Sequence, residues 1–136
     1  MVLWSSTIDP IEVEQNLLSK ADVTAIEQNG ETTIQTYQPF IFTKQHLHGL
    51  RGHHDLLEKF ERYTGGLLMI RGTEDSLKQH EPTVMALTKA SPAEYSIIKG
   101  ADHIFQVLDP SSEFDERLLW LTKNWFEQYL MIGGGI

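Results

Sequence analysis

The chain reads as an α/β protein: a partial parallel sheet of about three strands, with flanking helices and an inserted β-hairpin and helical segment. Three observations predict this. Leu67-Leu68-Met69-Ile70 and Tyr95-Ser96-Ile97-Ile98 are short apolar runs without strict alternation, the pattern of strands buried on both faces. A helical stretch lies between them, which makes the strand–helix–strand unit of a parallel sheet. Each run also stops in a glycine turn that presents a polar side chain. The first ends in Arg71-Gly72-Thr73-Glu74-Asp75 and the second in Lys99-Gly100-Ala101-Asp102-His103.

The remaining elements follow in chain order. Val2-Leu3-Trp4 is a further short strand. Asp9-Pro10 opens a helix, because proline at the first helical position lacks only an N–H that would be unpaired anyway. Ile11, Val13, Leu17 and Leu18 supply its apolar side. Val23 to Gln28 and Glu31 to Tyr37 flank Asn29-Gly30, two residues that accept positive φ, and this predicts a hairpin turning at that dipeptide. From Gln38 the pattern is irregular and then helical, with Leu56, Leu57 and Phe60 on one face before Gly65-Gly66. Pro82 to Ala90 predicts a short helix that turns Val84 and Leu87 inward. Phe114, Leu118, Leu121, Trp125 and Tyr129 recur every three or four residues, backed by Leu119, Phe126 and Leu130, so the final helix carries a wide stripe for a sheet face. Gly133-Gly134-Gly135-Ile136 reads as a frayed end.

Composition bounds the function. The 136 residues suffice for one domain with a sizeable core, at 40% hydrophobic and 22% charged content. Nineteen acids against eleven Lys and Arg give a formal charge of −8, which phosphate backbones repel; no nucleic-acid partner is expected. No cysteine is present, so disulfides, thiolate nucleophiles and zinc-thiolate sites are excluded, and a reducing cytoplasm fits. Met1-Val2-Leu3-Trp4 is too short for a signal peptide, and no run approaches the roughly 20 apolar residues that span a bilayer. No membrane association is expected.

Residues just past the carboxyl ends of parallel strands gather at the functional crevice of an open α/β sheet. An acid and a histidine delivered there resemble the end of an α/β-hydrolase. The acid turn of that family is Gly-x-x-Asp, matched by Gly72-Thr73-Glu74-Asp75; its last strand leads to a histidine loop, matched by Gly100-Ala101-Asp102-His103; and a long amphipathic helix closes the chain. Val2-Leu3-Trp4-Ser5-Ser6 is similar to the strand that follows the nucleophile helix.

The resemblance implies one incomplete domain over residues 1–136, with a lid-like insertion at 7–64 and C-terminal core strands and helices at 65–130. It also implies Asp75 and His103 as catalytic acid and base, with no cofactor and no metal. His103 would take the proton of a serine hydroxyl and return it to the leaving group, and Asp75 would fix the imidazole. Glu74 is the rival acid, disfavoured by the Gly-x-x-Asp register, and Asp102 is expected to be structural.

The departure from the family is the nucleophile: no Gly-x-Ser-x-Gly and no His-Gly-Gly type oxyanion motif occurs. Since the family order is Ser, Asp, His, the serine would lie upstream of Met1. The chain then reads as the C-terminal half of a serine hydrolase acting on a carboxylic ester, thioester or amide, inactive by itself. Its partners would be a small-molecule acyl substrate in the complete enzyme, and a second copy or a complementary N-terminal half. The alternative is a non-catalytic structural or interaction module derived from that fold.

Other side chains carry weaker signals. His46, His48, His53 and His54 crowd beside Asp55, but their spacing is not that of a helical ligand set, and a polar surface is the reading preferred over a metal site. Trp125 falls in the helical stripe and is expected in the core, which weakens an aromatic platform with Trp4 and Trp120. Phe40, Ile41 and Phe42 hint at a hydrophobic acyl group.

Overall fold

Every residue of Leu67–Gly72 is buried, because this strand is the middle of a three-stranded parallel sheet. In this computed structural model, which describes residues 1–130, β1 (Val2–Trp4), α1 (Pro10–Leu17), α2 (Lys20–Asn29), β2 (Glu31–Ile34), β3 (Phe40–Thr43) and α3 (Lys44–Gly52) come first. They are followed by α4 (Leu56–Arg62), β4 (Leu67–Gly72), α5 (Glu81–Leu87), β5 (Ala93–Ile98) and α6 (Phe114–Leu130). The glycine-rich tail lies outside the described residues. The chain folds as two units: Thr7–Leu56, and Met1–Ser6 together with the residues from Leu57 onward.

The larger unit holds the sheet, in the order β1-β4-β5, with Leu3 opposite Met69 and Ile70 opposite Ser96. Side chains alternate across a strand. Leu68 and Ile70 therefore share one face, where they pack with Ile98, Ala101, Phe105, Leu118 and Trp125. Leu67, Met69 and Arg71 take the opposite face. The α/β class with its three parallel strands and flanking helices is as the sequence predicts.

Three expectations in this unit need correction. The strand after Pro92 is not buried on both faces: Tyr95 and Ile97 are 43% and 40% exposed, because β5 lies at the sheet's edge. The apolar stripe of α6 is narrower than its sequence suggests. Leu118 and Trp125 are buried, whereas Leu119, Phe126 and Leu130 face outward. In α5 only Val84 turns inward, and Leu87 is exposed.

In the smaller unit, Asp9 caps α1 by accepting from the Ile11 amide, and Pro10 stands at the first helical position as expected. The expected strand over Val23–Gln28 is instead helical, within α2. Ser19 and Asp22 form a reciprocal capping box that starts this helix. Gly30, at φ 91°, ends it in the left-handed conformation. The positive φ that predicted a hairpin at Asn29-Gly30 thus serves a helix C-cap. The hairpin exists one element later: β2 and β3 pair antiparallel, with Thr32 opposite Phe42. Leu18, Ile26, Ile34, Phe42 and Leu47 form the core of this unit.

Candidate active site

The site is built where β4 and β5 end side by side. Gly72 closes β4 so tightly against the turn that follows β5 that a Cβ there would sit 1.9 Å from the Ala101 carbonyl oxygen. Only glycine allows that approach. The two turns are then stitched together: the Thr73 amide donates to the Ile98 carbonyl (3.1 Å), the Glu74 amide to Ala101 (2.9 Å), and the Gly100 amide to the Thr73 hydroxyl (2.8 Å). Gly100, at φ 85°, supplies the left-handed turn that redirects the second segment.

This stitching brings Asp75 and His103 together. Asp75 Oδ1 lies 3.0 Å from His103 Nδ1 and also accepts from the Leu77 amide at 2.9 Å. The Asp75 side chain is 1% exposed and that of His103 is 39% exposed, so the acid is held inside while the imidazole reaches the surface. With Nδ1 engaged, Nε2 is the nitrogen left to meet a reactant.

Asp102 is bonded to its own loop. Its Oδ1 accepts from the Ile104 and Gln106 amides (3.0 and 2.9 Å), an arrangement that shapes the loop after the histidine, in keeping with a structural role. Phe105 and Gln106 both take left-handed conformations (φ 57° and 47°), which non-glycine residues adopt at a cost. Burial of the Phe105 ring in the main core offsets it. Glu74 accepts from the neighbouring Thr73 hydroxyl rather than approaching the histidine.

Two residues that the sequence reading missed lie behind Asp75. Arg71 is buried on the sheet face opposite α6, and each of its three guanidinium nitrogens has a partner: Nε donates to Glu81 Oε1 (2.7 Å), one terminal nitrogen to Asp75 Oδ2 (2.7 Å) and the Leu77 carbonyl (3.1 Å), and the other to the Ser6 carbonyl. Glu81 is fully buried and accepts from the His80 amide as well. The available signal was a charge at the end of an apolar strand, in step with Leu67 and Met69, followed ten residues later by an acid. Arg71, Gly72, Thr73, Asp75, Leu77, Gln79 and Ile97 line a cavity of about 300 Å³ beside these groups.

The histidine cluster divides. His46 is the third residue of α3, where its Nδ1 accepts from the Thr43 amide in a capping box. His48 lies on the same helix, His53 at its C-terminal cap and His54 just beyond. Among the described residues no group of three or more His, Asp or Glu side chains is placed to hold a metal ion. Trp125 is buried, as expected, with the Tyr129 ring tilted against it at 4.3 Å between centroids. Trp4 donates to the Thr122 hydroxyl, and Trp120 lies under the Arg117 guanidinium. Phe42 is in the core of the smaller unit, while Phe40 and Ile41 are exposed.

No family model matches this chain, and no curated protein matches it in sequence. Solved structures do match it in fold. The esterase domain of a Rhodothermus marinus protein superposes with a TM-score of 0.66 at 18% identity, covering 94% of this chain and 50% of that one. A candidate hydrolase from Agrobacterium vitis S4 gives a TM-score of 0.59 at 13% identity, covering 92% of this chain and 48% of that one. The chain has a hydrolase-like α/β fold. It spans about half the length of these structural neighbours. Among the described residues no helix is long and apolar enough to cross a membrane.

Proposed function

We propose that this chain is the C-terminal portion of a serine hydrolase acting on a carboxylic ester, thioester or amide, with Asp75 and His103 as two members of its triad. The observation that carries this reading is the 3.0 Å pairing of a buried Asp75 carboxylate with a half-exposed His103 imidazole at the ends of neighbouring parallel strands. In the mechanism the reading assigns, His103 Nε2 accepts the proton of a serine hydroxyl as the oxygen attacks the carbonyl. Asp75 holds Nδ1–H and stabilises the imidazolium, which then protonates the leaving group. The serine and the oxyanion donors, usually the largest electrostatic contribution, belong to the portion outside these 136 residues. No cofactor enters the scheme.

The same reading assigns β1 a partner. Within the described sheet β1 pairs only with β4, which leaves its outer side as an edge beside the exposed Trp4. An open strand edge is a template for another chain. A complementary N-terminal half would add its strands there; in its absence a second copy would. Sedimentation of the chain should show self-association that the complementary half suppresses, and a monomer at high concentration would remove this assignment.

The function is tested by supplying an upstream segment that carries Gly-x-Ser-x-Gly, in one chain or by co-expression. Hydrolysis of an activated ester, with labelling of that serine by a fluorophosphonate, is expected. A folded but inert assembly would instead favour the second reading, an interaction module, for which the exposed Tyr95 and Ile97 on the β5 edge supply an apolar contact surface.

A further inference from the structure

We infer that Arg71 is a positioning residue for His103, acting through Asp75, with Glu81 as its buried counter-charge. This deepens the triad reading and rests on it. The argument begins with the two oxygens of Asp75. Oδ1 serves the imidazole and the Leu77 amide, two contacts that any turn of the carboxylate about χ2 would lengthen. Oδ2 is held at 2.7 Å by an Arg71 nitrogen. That anchor on the other oxygen opposes the same turn from the far side and so stiffens the direction in which Oδ1 presents itself to Nδ1.

Arg71 is suited to this because it is enclosed and bonded at each nitrogen. Its side chain is 3% exposed, and the planar fork is fixed at every corner by Glu81, Leu77 and Ser6. Lysine could supply the charge but not the fork, since an ammonium is a point donor with no plane to impose. Glu81, whose side chain is 1% exposed, answers the guanidinium charge in a setting where an unpaired ion would be costly. Two buried acids thus share one buried cation, and Asp75 is the one that carries the histidine.

The arrangement is also continuous with the sheet. Arg71 is the fifth residue of the central strand β4, paired in the ladder with Ile97 of β5. Asp75 comes four residues later, on the turn. The acid is tied back to the strand it has just left, and the aim of His103 is referred to the most buried element of the fold.

The experiment reads the His103 imidazole by 15N NMR in the 136-residue chain, which needs no serine. The wild-type chain should show one tautomer, protonated at Nδ1, with slow exchange of that proton. Asp75→Asn should lose this signature; if it does not, the triad reading itself fails. Arg71→Lys, with circular dichroism and melting confirming the fold, should leave mixed tautomers and speed Nδ1–H exchange by roughly tenfold or more, as expected when an oriented contact loosens. Unchanged His103 resonances in a folded Arg71→Lys chain, alongside a lost signature in Asp75→Asn, would overturn the inference while leaving the pair intact. If Arg71→Lys does not fold, the double variant Arg71→Gln/Glu81→Gln, which strands no Glu81 charge, carries the same readout. Failure of both to fold would make Arg71 a support of the core rather than of the histidine's aim, and would also overturn it.

Discussion

Asp75 and His103 are 28 residues apart in sequence and 3.0 Å apart in space, and what joins them is backbone rather than a shared element. Each leaves its own strand through a glycine, and the two turns bond to one another before either side chain is placed. The geometry of the pair is thus set by the register of β4 against β5, in which Gly72 stands opposite Ile98. A change at the turn should act on the pair without touching either side chain.

Gly72→Ala is the direct form of that change. Its methyl group would meet the Ala101 carbonyl at 1.9 Å, and the obstacle is backbone that cannot swing aside. A loss of about 1–3 kcal/mol or more is expected from overpacking at such a site. Denaturant melts would give the number. Wild-type stability in this variant would mean that the two turns are not locked as described.

The chain alone should be inert toward activated esters and should take up no fluorophosphonate. Its exposed serines have no imidazole assigned to activate them, and Ser76, the one nearest Asp75 in sequence, lies on the exposed side of the turn. Mass spectrometry after probe treatment checks this. Stoichiometric labelling of any serine in residues 1–130 would require a nucleophile within the chain and a different account of the site.

The smaller unit should lose stability in acid for an identifiable reason. The Ser19 hydroxyl and amide hold the Asp22 carboxyl below its ordinary value of 3.8, and the Arg51 guanidinium holds Glu14 below its ordinary 4.5. Both carboxyls are depressed on folding, so their contribution is complete above those values and disappears as pH falls through the lower, folded ones. Melting temperature should therefore drop on acidification, and Ser19→Ala should reduce the size of that drop. An identical acid profile in Ser19→Ala would show that the capping box carries none of it.

Some of this fold was legible in the residues and some was not, and the difference is physical. The apolar runs of β4 and β5 and the glycines that stop them carry strand, end and turn within ten residues each, so the positions of Asp75 and His103 followed. Burial of β5 did not follow, because an edge strand and a central one can share an apolar composition. Asn29-Gly30 was ambiguous in itself, since a hairpin turn and a helix C-cap both call for positive φ; Ser19 and Asp22, three apart, were the signal that decided for the helix. The outward face of α6 was hidden for a related reason: Leu119, Phe126 and Leu130 are apolar without being buried, and periodicity alone does not say how much of a stripe finds a partner. Arg71 was passed over because a charge at a strand end reads as the start of a turn. Only the alternation from Met69 places it inside.

The most direct test of the central claim is turnover in a complete enzyme that carries this segment, with His103→Ala and Asp75→Asn made singly and together. Losing the general base should reduce kcat by a factor of roughly 10²–10⁴. On the proposed triad reading the pair acts as a unit, so the double variant should be little worse than His103→Ala alone. Turnover near that of the wild type in a folded His103→Ala enzyme would contradict the account.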